Sequence, residues 1–135
     1  MPQILAQLSV RRGREALAFY EAAFGARVDY LVGGDEIVAQ LSVGDATFWV
    51  SDESPEHGNF SPETLGGGTV RLLLIADDPD ASVARAVSAG ASVVYPVSDE
   101  HGWRLGRIVD PYGHHWEIGR PLVPWPAPSH VGAPS

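Results

Sequence analysis

The sequence between residues 110 and 117, Asp-Pro-Tyr-Gly-His-His-Trp-Glu, brings together side chains that can transfer protons or bind metal ions. Successive side chains of a strand point to opposite faces, so His115 and Glu117 are predicted to share a face. Two such titratable groups in an apolar cleft are typical of acid–base catalysis. With a loop histidine such as His101 they would instead hold a metal ion. In the simplest interpretation His115 only adds a polar group to a cleft.

Two tryptophans are candidates for holding a planar ligand. Trp49 lies in the apolar run Ala-Thr-Phe-Trp-Val at residues 46–50, and Trp103 lies in a predicted loop, His-Gly-Trp-Arg, at residues 101–104. Indole faces stack on planar rings and attract cations, at about 0.5–2 kcal/mol per contact. The alternative for Trp49 is that it fills the core.

The elements that position these groups occur twice in the same order. The first unit, at about residues 4–51, is predicted to have a strand at 4–10, a helix at 14–24 and strands at 27–32, 36–43 and 46–51. The second unit, at about residues 69–119, is predicted to have a strand at 69–76, a helix at 81–89 preceded by Pro79, and strands at 92–95, 105–109 and 115–119. Residues 52–68 form a linker without periodicity, and residues 121–135 form a proline-rich tail predicted to be extended or disordered.

A local sequence match supports duplication. Residues 24–30 and 89–95 share Gly, Ala, Val and Tyr at equal spacing, each time where a helix is predicted to end and a strand to begin. We therefore predict one α+β domain over residues 1–120, built from two tandem βαβββ units. Placed side by side, the two units would form a cupped, open-barrel sheet around a cleft.

Composition narrows the function classes. The chain has 17 acidic against 9 basic residues, a net charge of −8, and no cysteine. The negative field would repel nucleic acid and attract cations, and thiolate metal sites and disulfides are excluded. The N-terminus does not resemble a signal peptide, and no apolar run reaches the roughly 18 residues of a membrane span. We expect a cytoplasmic protein with no membrane or nucleic-acid partner.

The segment from Ser9 to Gly25, together with residues 108–117, resembles the vicinal oxygen chelate superfamily, which includes glyoxalase I, bleomycin-resistance proteins and extradiol dioxygenases. Residues 89–91, Gly106-Arg107 and the Asp-Pro-Tyr-Gly-His-His-Trp run are similar to its PhnB-like branch. The resemblance covers about residues 4–120 and implies the cupped fold and a homodimer, with or without swapping of units. Because the fold hosts many chemistries, it does not by itself imply an activity.

In the metal-dependent members the resemblance implies four ligands, two from each unit. Carried onto this sequence, the first position falls on Leu5 and the second on Trp49 or a neighbour, Phe48 or Val50. The third falls on Arg71, or on Val70 if the count shifts by one, and the fourth falls on Glu117. Three of these four positions hold residues that cannot bind a metal. We therefore expect a site without a metal or another cofactor.

Two functions follow as hypotheses. The first is a non-catalytic protein that sequesters a planar aromatic or cationic small molecule, as in antibiotic resistance. Its candidate ligand-binding residues are Leu5, Gln7, Phe48, Trp49, Arg71, Trp103, His115 and Glu117. The second is a metal-dependent lyase or oxygenase of the glyoxalase or dioxygenase type that uses Glu117 with relocated ligands.

Overall fold

The computed structural model describes residues 1–126 and confirms an α+β fold of two βαβββ units. The first unit consists of β1 (Gln7–Val10), α1 (Gly13–Phe24), β2 (Arg27–Gly33), β3 (Ile37–Val43) and β4 (Ala46–Asp52). The second consists of β5 (Arg71–Ile75), α3 (Pro79–Ala89), β6 (Ser92–Glu100), β7 (Trp103–Val109) and β8 (His115–Pro121). Each unit forms one four-stranded sheet, in the orders β1-β4-β3-β2 and β5-β8-β7-β6. The parallel pairs are β1 with β4 and β5 with β8.

Local sequence signals explain where α1 ends and where α3 begins. Gly25, with φ of +67°, ends α1 in the left-handed conformation that glycine adopts without strain. Pro79 stands in the first turn of α3, and the Asp78 carboxylate accepts a hydrogen bond from the Ala81 amide at 3.1 Å. No helix of residues 1–126 is long and apolar enough to cross a membrane.

Some predicted boundaries were wrong. The predicted linker, residues 52–68, contains a 3₁₀ helix at Pro55–His57 and a short helix, α2, at Pro62–Leu65. Strand β6 continues to Glu100, and Trp103 begins β7 instead of lying in a loop. Most of the proline-rich tail, residues 127–135, lies outside the described residues.

The two units share one hydrophobic core formed by their helix-bearing faces. Helix α1 packs against α3, and Tyr20 of α1 contacts Trp116 of β8, with ring centroids 5.7 Å apart. Across the same junction, Phe48 of β4 contacts Trp116 at 5.6 Å. The helix-bearing side of each sheet is therefore covered by its own helix and by the other unit.

This packing turns the opposite faces of the two sheets outward. Trp49 follows Phe48 along β4 and Glu117 follows Trp116 along β8, so strand alternation points both away from the shared core. We call the Trp49 side the first open face and the Glu117 side the second open face. Within the described chain the two sheets are not hydrogen-bonded to each other. In one chain the two units meet through their helix-bearing faces, and their open faces point away from each other.

Candidate functional site

An ion pair joins the edge strand β5 to β8 on the second open face. Arg71 Nε of β5 donates a hydrogen bond to Glu117 Oε1 of β8 over 2.8 Å. In the parallel register Arg71 lies opposite His115, and Leu73 lies opposite Glu117. The carboxylate that the sequence singled out is thus neutralised by a guanidinium from the adjacent strand.

A cavity of about 440 Å³ opens beside this ion pair. It is lined by Tyr95, Pro96, Ser98, Glu100, Leu105, Gly106, Arg107 and Glu117. Arg107 lies opposite Glu117 in the β7–β8 register, and its guanidinium carbon lies 5.2 Å from the centroid of the Tyr95 ring. The cavity thus combines an apolar wall with one guanidinium stacked on an aromatic ring.

Two buried polar atoms of this region make no hydrogen bond within residues 1–126. They are Arg107 Nε and His115 Nδ1. His115 shares the second open face with Glu117, as strand alternation requires. Buried polar groups are usually paired, so both atoms are unsatisfied polar groups of this region.

The first open face is aromatic and polar. The Trp49 indole meets the Tyr30 ring edge to face, with centroids 5.9 Å apart, and Gln7 and Gln40 lie opposite Trp49 on the neighbouring strands. Leu5 precedes β1 and is partly exposed. Phe48, by contrast, is only 7% exposed and belongs to the shared core.

Trp103 lies at the far end of the second open face. Its indole contacts that of Trp125 edge to face, with centroids 5.1 Å apart. In the β7–β8 register Trp103 lies opposite Pro121, and Arg107 lies opposite Glu117. Trp103 therefore stands at the end of the sheet, away from the ion pair.

The residues before His115 serve the fold. The buried Asp110 carboxylate accepts hydrogen bonds from Tyr20 Oη at 2.5 Å, Trp116 Nε1 at 2.9 Å and two backbone amides. Burial raises the pKa of Tyr20 well above its ordinary value, and the neighbouring Asp110 raises it further. His114 Nε2 forms a hydrogen bond with the Ser9 carbonyl oxygen at 2.9 Å. Asp110 and His114 thus join the second unit to Tyr20 and Ser9 of the first.

The glyoxalase-like domain family matches residues 6–119, nearly the whole of both units. The chain belongs to this family. An uncharacterized protein of Mycobacterium bovis, Mb0911c, is 35% identical to the glyoxalase-like chain over 128 residues, which are 90% of this chain and 84% of the relative. The resemblance to the vicinal oxygen chelate superfamily is thereby confirmed.

Solved structures agree with this family. The X-ray structure of the Arabidopsis thaliana gene product At5g48480 shares 30% identity with this glyoxalase-like chain, with a TM-score of 0.68 over 87% of this chain and 96% of the other. TnmS3 of Streptomyces sp. CB03234, described as an antibiotic binding protein, has a TM-score of 0.63 at 23% identity, over 89% and 97% of the two chains. At that identity the second similarity shows the fold alone.

The positions that would hold a metal in this glyoxalase-like domain do not fit one. Trp49 lies between the core residues Phe48 and Val50 as Glu117 lies between Trp116 and Ile118, so the indole stands where the second unit has its carboxylate. The other ligand position of each unit falls on Leu5 in the first unit and on Arg71 in the second unit. Indole, an aliphatic side chain and guanidinium donate no electron pair to a divalent ion. Of these four positions, Glu117 alone carries a side chain that can bind a metal ion.

The alternative ligand set of His115, Glu117 and His101 is not assembled either. His115 lies opposite Val109, at one end of β7, whereas His101 lies in the turn before Trp103, at the other end. The six residue-to-residue steps from Trp103 to Val109 span roughly 20 Å of strand. Among residues 1–126, no three histidine or acidic side chains are close enough to hold a metal ion.

Three residues of the open faces were not predicted from the sequence: Tyr30, Tyr95 and Arg107. The signal for the tyrosines was already present, since they are the last identical pair of the internal repeat. Both stand on the open side of the second strand of their unit, opposite Gln40 and Arg107 respectively. Arg107 shares strand parity with Leu105 and Trp103, and alternation from Trp103 would have placed it on the same face.

Proposed function

We propose that this glyoxalase-like domain binds an organic small molecule in a metal-free cleft and does not convert it chemically. The observation that carries the proposal is the Arg71–Glu117 ion pair, at 2.8 Å. A carboxylate already paired with a guanidinium is a poor metal ligand, because the metal would have to displace a favourable charge partner. What the open faces do offer is stacking and hydrogen bonding.

The cleft forms when the first open face of one chain meets the second open face of a second copy. Six large apolar side chains on these faces are between 44% and 60% exposed: Tyr30, Val32, Val38, Leu73, Ile75 and Tyr95. Patches of this kind mark interaction surfaces. The Phe48–Trp116 contact prevents the two faces of one chain from covering each other, which leaves a partner chain to do so. A two-fold homodimer would form two such clefts.

The aromatic residues favour a planar ligand. Trp49 and Tyr30 on one side and Tyr95 on the other would bracket a flat ring, and ring stacking contributes about 0.5–1.5 kcal/mol per pair beyond the buried area. A relative of the same fold, TnmS3, is described as an antibiotic binding protein. That description supports an aromatic natural product of the antibiotic type as the ligand class, with resistance by sequestration as the role.

Intrinsic fluorescence tests the proposal directly. Titration with a panel of planar aromatic antibiotics should quench tryptophan emission for at least one member, and mass spectrometry should recover that compound unchanged. Trp49→Phe should abolish the quenching. Trp125→Phe is the matched control, because Trp125 packs against Trp103 at the end of the second open face, away from the ion pair, and its loss should leave the quenching intact.

Two outcomes would overturn the proposal. One is the absence of any response across the panel. The other is recovery of a chemically altered ligand in a reaction that depends on added metal and on Glu117, which would establish the lyase or oxygenase instead.

A further inference from the structure

In the described part of the chain, the Arg107 guanidinium has no acidic partner. None of the ion pairs among residues 1–126 includes Arg107. Its Nε is buried and makes no hydrogen bond, and its guanidinium is stacked on Tyr95. This side chain is positioned in the 440 Å³ cavity with unused donors.

The acids nearest to Arg107 are already occupied or distant. Glu117, directly opposite, is bound to Arg71. Asp99 is bound to Arg104. Glu100 lines the cavity but lies opposite Trp103, four residues from Arg107 along β7, which corresponds to roughly 13 Å of strand. The second unit therefore supplies no counter-ion for Arg107.

A second copy of the chain would not supply a counter-ion either. The outward positions of β1, β3 and β4 on the first open face carry no charged side chain; they are Gln7, Ser9, Val38, Gln40, Ser42, Thr47, Trp49 and Ser51. On β2 the acid Asp29 is already paired with Arg27, whose Nε donates to Asp29 Oδ1 over 2.9 Å. Asp52, at the end of β4, points to the other side and accepts hydrogen bonds from the Gly13 and Ile37 amides. Closing the cleft with this face would bury Arg107 without a negative partner. Burial of an unpaired charge is costly, so the ligand has to provide the opposite charge.

We infer that the ligand is a planar aromatic acid whose anionic group binds Arg107 while its ring lies among Trp49, Tyr30 and Tyr95. This inference rests on the proposed function, and it selects an anionic ligand where the net charge of the chain had suggested a cationic one. A planar guanidinium binds a carboxylate with two parallel hydrogen bonds, which gives geometry as well as energy. His115, on the adjacent strand, shares this face.

Three probes that share one ring system and differ in charge test the inference: 2-naphthoate, 2-naphthalenemethanol and 2-naphthylmethylammonium. Each is titrated at neutral pH into the full-length protein, with tryptophan quenching and calorimetry as readouts. We expect 2-naphthoate to bind at least about ten-fold more tightly than the neutral alcohol, as charge-assisted hydrogen bonds require. The ammonium compound should bind most weakly.

Two variants identify the side chain responsible. Arg107→Gln should remove the preference for 2-naphthoate while leaving the affinity for the alcohol within about two-fold, since stacking is retained. Arg104→Gln is the matched control on the same strand, because Arg104 points the other way and is bound to Asp80 and Asp99. Arg104→Gln removes the same single positive charge as Arg107→Gln and should leave the preference for 2-naphthoate unchanged. Circular dichroism confirms that each variant is folded.

The outcomes separate the two claims. Equal binding of all three probes, tighter binding of the ammonium compound, or an Arg107→Gln variant that keeps the preference would overturn the inference and leave the metal-free binding cleft standing. Failure of all three probes and of the antibiotic panel to bind would overturn the proposed function and this inference together.

Discussion

The ring of Phe48 packs against the indole of Trp116, with centroids 5.6 Å apart, and this contact sets the direction of the residues that follow them. Trp49 and Glu117 consequently lie on opposite outer faces of the same chain. Two half-sites that point apart can act together only across two copies of the protein. The ligand site proposed for this glyoxalase-like domain therefore requires the dimer that we propose.

The first prediction concerns assembly. Leu73→Asp places a charge among the apolar residues of the second open face, where Leu73 is half exposed. We expect the wild-type protein to be a dimer and Leu73→Asp to be a monomer in sedimentation velocity, because desolvating a carboxylate in an apolar interface is costly. Leu65→Asp, which adds the same charge at an exposed position of α2, should remain dimeric. A monomeric wild-type protein would contradict the composite site.

The second prediction concerns a metal site built at the four family ligand positions. Leu5→His, Trp49→Glu and Arg71→His, combined with the native Glu117, should produce a nickel site measurable by calorimetry, since four nitrogen and oxygen ligands would then converge. Two ligands come from each copy, so binding should disappear when Leu73→Asp is added. The variant with only Leu5→His and Trp49→Glu retains the Arg71–Glu117 ion pair and should not bind nickel. Binding by the monomeric combination would show that the ligands converge within one chain.

The third prediction concerns alkaline stability. The chain contains no lysine, so tyrosines are the main groups that titrate between pH 9 and 12. Burial raises the pKa of Tyr20, and burial raises that of Tyr112 to about 12. A raised folded-state pKa gives stability that is fully present below the unfolded pKa of about 10 and is lost as the pH rises through the folded value.

Tyr20→Phe should therefore lower the unfolding free energy by about 1–2 kcal/mol at neutral pH, through the lost hydrogen bond to Asp110. It should also make the decline above pH 10 shallower, by up to ~1.4 kcal/mol per pH unit. Urea unfolding across this pH range measures both effects. Tyr30→Phe, at a half-exposed position, is the control. An identical alkaline decline in Tyr20→Phe and the wild-type protein would show that Tyr20 is not the group responsible.

The fourth prediction concerns the close approach between α1 and the first sheet. A methyl group at Gly13 would lie 2.5 Å from Asp52 Oδ2 and 2.6 Å from Ile37 Cγ1, where Asp52 also binds the Gly13 amide. Gly13→Ala should cost about 1–3 kcal/mol in urea unfolding. Gly34→Ala, with no atom within 4 Å of the added methyl group, should be neutral or slightly stabilising. Equal effects at both positions would argue against this packing.

Much of the fold was predictable because its signals are local. The Gly25 stop, the Pro79 start and strand alternation predicted both long helices and most strands to within a few residues. Errors arose where contacts between distant segments determine the local structure. Trp103 reads as a loop residue beside Gly102, yet pairing with β6 makes it a strand residue. The linker resembles an unstructured loop, but Glu53 accepts hydrogen bonds from the Ser61 amide and Thr64 Oγ1, which lowers the pKa of Glu53 and fixes α2.

The site was predictable one residue at a time but not as an assembly. Trp49, Arg71, His115 and Glu117 do lie on outward faces, as alternation predicts, whereas Phe48 has the opposite parity and lies in the core. The relative placement of the two units depends on the Phe48–Trp116 and Tyr20–Asp110 contacts between distant segments. No local pattern encodes such contacts, so the sequence did not reveal that one chain carries two separate half-sites.

The central claim, a cleft that holds an organic ligand without a metal, is tested most directly by metal analysis of the purified wild-type protein. The protein is exposed to nickel, zinc, iron and manganese, dialysed, and measured by inductively coupled plasma mass spectrometry beside Glu117→Gln. We predict no stoichiometric metal in either protein. A transition metal retained at one ion per chain in the wild-type protein and lost in Glu117→Gln would contradict the claim.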